Sequence, residues 1–145
     1  MKIAVIGNIH SDGWEFLEKA NFKSFEIFNF DENNLKKELE NVDGILLRTA
    51  NLSSNVLSGC HNLKIVARHG VGYDNVDLEY LNQNEIALGI TGTSNAVSVA
   101  EHVLTSFLYL TKNIHLSDKL TREGKFNDKS SLPNFFELYQ KNVVI

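Results

Sequence analysis

The residues best suited to chemistry in this chain gather around one stretch, IVARHGVGYDNVD from Ile65 to Asp77, where an apolar run gives way to Arg68, His69 and Gly70. Gly70 and Gly72 are placed as in a dinucleotide-cradling turn. The third glycine position, however, is Asn75, and Tyr73-Asp74-Asn75-Val76-Asp77 is turn-like where a long helix should begin. Gly7 fails the same test, because Asn8 and Ile9 follow it and the next glycine is Gly13. What remains is a strand end whose following amides, at Val71 and Gly72, could form an anion-binding nest. Arg48 and Thr49 close another apolar run in the same way, and ligands of open α/β sheets sit at the carboxyl ends of strands. Amides, a guanidinium and a hydroxyl together suit a carboxylate or a phosphate. The same pattern also reads as two surface cations, Arg48 and Arg68, beside tight turns. A third loop, Gly89 to Asn95, could hold an anion on free amides at the start of a helix, or serve only as a linker.

Other reactive side chains are scattered. None of the five histidines forms a metal pair at helical spacing, and none stands with a serine and a carboxylate in a pattern that suggests a catalytic triad. His69 reads as a structural member of the glycine loop and His102 as a packing or interface residue. Cys60 is the only cysteine, so no internal disulfide can form, which fits an intracellular setting. A net charge of −4 provides no field to gather nucleic acid or an anionic membrane, so an anion site must be local. The opening MKIAVIGN is too short in its apolar run for a signal peptide, and no stretch reaches the roughly 18 apolar residues of a spanning helix. The expectation is a cytoplasmic protein.

The elements that must position these residues follow from short β-branched runs alternating with amphipathic stretches, the pattern of an α/β fold around a mainly parallel sheet. Strands are expected at Lys2–Ile6, Ser24–Phe28, Gly44–Leu47, Lys64–Ala67 and Ile86–Leu88. Helices are expected at Trp14–Ala20, Glu32–Glu40, Asn55–Gly59 and Leu78–Asn82. From Asn95 to about His115 one long apolar helix is expected, with Ser98 and Glu101 forming a capping box. Its wide apolar arc calls for burial on two sides. An irregular arm containing the single proline, Pro133, follows, and Lys141 to Ile145 looks like the start of a strand.

The segments RHGVGYDNVD and GTSNAVSVAEH, in this order and spacing, resemble the amino-terminal part of the D-isomer-specific 2-hydroxyacid dehydrogenases, most of all their D-3-phosphoglycerate dehydrogenase branch. The resemblance covers at least Val42 to Ile114. It implies a flavodoxin-like five-stranded substrate domain over residues 1–94, with helices on both faces. Residues 95–145 would be a long crossover helix and an arm leading toward a dinucleotide-binding domain. By position, Arg48 and Thr49 would touch the anionic groups of a small 2-hydroxy or 2-oxo acid. The Gly70-Val71-Gly72 turn would hold its carboxylate through the Val71 and Gly72 amides, and Asn75 would brace the loop. The helix from Ser98 to His115 would contribute to a homodimer. The family's NAD site and its catalytic arginine and carboxylate–histidine pair match no residue here, so neither catalytic nor metal-binding residues are assigned. The chain alone is expected to be inactive and to bind no NAD. The alternatives are a dimeric anion-binding module without catalysis, and one half of a two-chain dehydrogenase.

Overall fold

A computed structural model describes residues 1–144, divided into two compact units, Met1–Thr93 and Ser94 onward. The first unit runs β1 (Lys2–Ile6), α1 (Ser11–Lys19), β2 (Lys23–Ile27), α2 (Glu32–Leu39), β3 (Gly44–Leu47), α3 (Ser54–Leu57), β4 (Ile65–Arg68), α4 (Leu78–Gln83) and β5 (Ala87–Ile90). All neighbouring strands are parallel, in the order β2-β1-β3-β4-β5. This is the flavodoxin-like arrangement, and its topological switch point lies between β1 and β3.

The strands read as near-continuous apolar runs because both faces of the sheet are used. Alternate residues of β1 point to opposite sides. Ile3 and Val5 join Leu17 and Trp14 of α1, whereas Ala4 and Ile6 join Leu35 and Leu39 of α2, Val56 and Leu57 of α3 and Leu81 of α4. One face is therefore deep and the other, under α1, is thin. Cys60 lies in the deeper cluster at 6% exposure, where burial pushes its thiol up to about 11. A thiol this protonated is a poor nucleophile. Native protein at pH 8 should therefore resist iodoacetamide, and alkylation should track unfolding when urea is added; rapid labelling without denaturant would contradict the burial.

Local capping explains most shifts from the expected boundaries. α1 begins at Ser11 rather than Trp14 because His10 Nδ1 accepts the Asp12 amide at 3.3 Å and so supplies the N-cap. Gly13 is tolerated in that first turn because a Cβ there would stand 3.0 Å from Ile9 Cδ1. Ile86 precedes β5 instead of opening it, since its amide closes α4 onto the Leu81 carbonyl at 2.9 Å.

The second unit departs further from expectation. The single long helix is two helices, α5 (Ala96–Thr111) and α6 (Ile114–Arg122). Asn113 adopts φ 47°, and a left-handed residue just past the C-cap terminates a helix. The Ser98–Glu101 capping box is not formed. The helix starts at Ala96, so Ser98 already lies inside the first turn; Asn95 is the N-cap and makes no side-chain cap bond. The expected burial of this helix is not seen among the described residues either: α5 has no buried residue, and Val97 is 73% exposed. After α6 comes a 3-10 helix, Phe126–Ser131, and the arm then turns back so that the Phe136 amide donates to the Thr111 carbonyl at 2.9 Å. No strand forms over 141–144; Ile145, the end of that expected strand, lies outside the described residues. Among the described residues, no helix is long and apolar enough to cross a membrane.

Candidate functional site

Parallel register sets the site. Ile6, Leu47, Arg68 and Ile90 stand in one row across β1, β3, β4 and β5, so the loops that leave these strands emerge on the same rim. That rim carries Gly7 and Asn8, Arg48 and Thr49, the turn from His69 to Asn75, and Thr91 with Gly92.

At the end of β3 the Arg48 amide donates to the Ile6 carbonyl at 3.0 Å, continuing the ladder one residue past the strand. Its guanidinium donates from Nη1 to the Asn8 carbonyl at 2.9 Å and stays exposed. Thr49 is exposed beside it.

At the end of β4 the His69 amide donates to Leu47 at 2.7 Å and the Gly70 amide to the Arg68 carbonyl at 2.9 Å. The next two amides, Val71 and Gly72, donate to no described residue, and both residues are exposed. Neither Gly70 nor Gly72 has a positive φ, so what glycine offers this turn is space rather than an unusual backbone angle. A Cβ on Gly70 would stand 2.5 Å from Arg68 Nη1. One on Gly72 would stand 3.2 Å from Asp74 Oδ1, which puts a carboxylate at the edge of the turn.

Asn75 joins the two loops. Its Nδ2 donates to the Ala50 carbonyl at 2.7 Å, and its Oδ1 accepts from Arg68 Nε at 3.2 Å. The backbone adds a short parallel bridge between Leu52 and Val76: the Leu52 amide donates to Asn75 at 2.9 Å and the Asp77 amide to Leu52 at 3.1 Å. Arg68 also donates to the His69 carbonyl at 2.6 Å, so this cation lies within the turn's hydrogen-bond network. The loop ends at α4, whose first amides are met by Asp77. The Tyr80 amide, donating at 2.9 Å, holds this carboxyl below its ordinary value, helped by Ser54 and opposed by burial.

Hydrogen-bond donors gathered at the carboxyl ends of adjacent parallel strands have the chemistry that suits an anion. The model of the D-isomer specific 2-hydroxyacid dehydrogenase catalytic domain matches residues 3–144. The chain belongs to that family.

Among curated relatives of this 2-hydroxyacid dehydrogenase family member, D-3-phosphoglycerate dehydrogenase of Archaeoglobus fulgidus is 27% identical over 130 residues, covering 89% of this chain and 25% of the relative. The enzyme of that name from Mycobacterium bovis is 36% identical over 114 residues, 78% of this chain and 21% of the relative. The crystal structure of an NAD-dependent formate dehydrogenase from Staphylococcus aureus superimposes with a TM-score of 0.74 at 27% identity, over 90% of this chain and 44% of that one. The chain thus spans about a quarter of the length of these curated relatives.

Neither of the two glycine loops, at Gly7 and at Gly70 to Gly72, has the form of a dinucleotide-cradling turn. After Gly72 the next helix, α4, starts only at Leu78 and has 6 residues, and its first turn is capped by Asp77. After Gly7 the next glycine, Gly13, is inside α1 against Ile9. Nor is a group of three or more metal-ligating side chains found among the described residues. His69 and His102 are both exposed, on the β4 loop and on α5.

Sequence reasoning did not find Gly7, Asn8 or Arg68. The positive φ of Gly7, 97°, and the close approach of Arg48 mark it, and both are structural observations. Arg68 reads equally well as a surface cation because nothing local in the sequence reveals that Asn75 comes back to meet it.

Proposed function

We propose that the rim of β3 and β4 binds the anionic end of a small 2-hydroxy or 2-oxo acid, as the substrate-binding part of an NAD-dependent dehydrogenase acting on such acids. The Val71 and Gly72 amides hold the carboxylate. Arg48 and Thr49 meet a second anionic or polar group, and Asn75 keeps the two loops in register. The single observation behind this reading is that two successive amides without an acceptor among the described residues follow β4 on the rim where Arg48 ends the adjacent strand. A 3-phosphoglycerate-like acid suits the donors, because it carries a carboxylate and a phosphate that amides and a guanidinium can divide.

Hydride exchange requires an acid or base within hydrogen-bonding reach and a bound nicotinamide. We assign neither to residues 1–144, and the division into a substrate domain up to residue 94 and a crossover segment from 95 follows from that reading. Cytoplasmic residence is part of the same proposal.

The test is calorimetric titration of the 145-residue chain with D-3-phosphoglycerate, in parallel with Arg48→Ala. Binding by the unaltered chain and a loss of roughly 10- to 100-fold in the variant are expected, the range of a charge-assisted hydrogen bond. Equal affinity would remove Arg48 from the site. NADH oxidation with hydroxypyruvate should be undetectable for this chain alone, and turnover would overturn that part of the proposal.

A second reading is favoured by α5, which exposes Val97, Leu104, Leu108 and Leu110. It is a dimeric anion-binding module without catalysis, joined through this helix. Light scattering separates the states: a monomer at high concentration would end it. Activity appearing only on addition of a cofactor-domain chain would instead identify half of a two-chain enzyme.

A further inference from the structure

The loop after β1 lies on the same rim and has no role in the reading above. Gly7 there has φ 97°, a conformation that side-chain-bearing residues rarely adopt. A Cβ on it would also stand 3.0 Å from Arg48 Cβ, with Arg48 Cδ at 3.7 Å and Cγ at 3.8 Å. The arginine side chain therefore lies along the glycine. Immediately beyond, the Asn8 carbonyl accepts Arg48 Nη1 at 2.9 Å. Two independent features, an unusual backbone angle and a close side-chain approach, thus serve one residue. They occur between β1 and β3, where the strand order reverses and crevices open in such sheets.

We propose that Gly7 and Asn8 form a positioning element for Arg48 in anion binding. Glycine at position 7 turns the chain aside so that the arginine can lie across it. The Asn8 carbonyl then takes one of the guanidinium's five N–H donors and fixes the orientation of those left for the ligand. An exposed arginine held by nothing would lose rotamer freedom on binding. One already docked loses less, and that difference appears as affinity. The inference rests on Arg48 being an anion ligand.

The experiment titrates D-3-phosphoglycerate into the unaltered chain, Arg48→Ala, Gly7→Ala and the double variant, with thermal unfolding recorded for each. Gly7→Ala should weaken binding about fivefold or more, as expected when preorganisation is lost. In the Arg48→Ala background it should produce no further loss. Full affinity in a folded Gly7→Ala chain, or additive losses in the double variant, would overturn the proposal. Should Gly7→Ala fail to fold, proton–nitrogen spectra of the unaltered chain decide. The Gly7 and Asn8 amides and Arg48 Nε–H should shift on saturation with the acid, and stationary Gly7 and Asn8 signals beside moving Val71 and Gly72 signals would overturn it. If the unaltered chain binds no acid at all, the functional reading fails instead, and comparing the three variants with the unaltered chain keeps the two failures apart.

Discussion

Leu47→Ala will destabilise the protein by about 3–4 kcal/mol, and Leu46→Ala, one residue earlier on the same strand, by about 1–2 kcal/mol, within the range of core leucine truncations. The two leucines differ only in the face of the sheet they supply. Leu47 is fully buried among residues of α2, α3 and α4, where removing its isobutyl group leaves a cavity that three helices cannot close together. Leu46 is half-buried on the thinner side with Trp14, Leu17 and Phe22. That side already opens to solvent one strand over, where Ile65 is 36% exposed. A partly solvated site loses less transfer free energy and refills with water. Urea unfolding with equal slopes for both variants measures the contrast, because the midpoint then reports stability alone. Equal losses would mean that the two faces are equally well covered.

Most of the sheet could be read from the residues because parallel strands covered on both sides leave a plain mark. Lys2–Ile6 and Gly44–Leu47 are found with the expected boundaries, and β2, β4 and β5 begin within a residue of where the apolar runs place them. The order of the strands came from the family resemblance, since periodicity says nothing about which strand lies beside which. Where the reading slipped, a local conformation with no strong residue signal was responsible. Asn113 turns left-handed and divides a helix whose apolar spacing continues unbroken past it. His10, an uncommon N-cap, starts α1 before its first large apolar residue.

The site was legible in its chain-local parts and hidden in its tertiary ones. Val71 and Gly72 could be picked out because glycines after an apolar run leave amides without strand partners. The reason for Gly70 is a guanidinium two residues earlier folding back over it, which no spacing rule encodes. From the sequence Gly7 reads only as a failed phosphate-loop glycine. Its close neighbour Arg48 is distant in sequence and becomes adjacent only when β1 and β3 pair.

Asn75→Ala should produce a protein that still folds, is about 2–3 kcal/mol less stable, and binds D-3-phosphoglycerate at least about tenfold more weakly, given the usual cost of orphaned polar groups. Folding survives because the backbone bridge between Leu52 and Val76 needs no asparagine side chain. Stability falls because Ala50, 6% exposed, is left with a carbonyl whose donor has gone, while Arg68 Nε loses its acceptor. Binding falls because the turn bearing the Val71 and Gly72 amides is then held to the segment that follows Arg48 and Thr49 only by the backbone bridge at Leu52. Asn75→Asp separates the two bonds. Its carboxylate still accepts from Arg68, now with charge assistance, but near neutral pH it has no hydrogen to give the Ala50 carbonyl and sets an anion against that oxygen. If the tie to Ala50 is what matters, Asp should be no better than Ala in both thermal unfolding and titration. If Asp restores the unaltered behaviour, the Arg68 contact alone organises the turn, and the loop after β3 has no mechanical part in holding the anion.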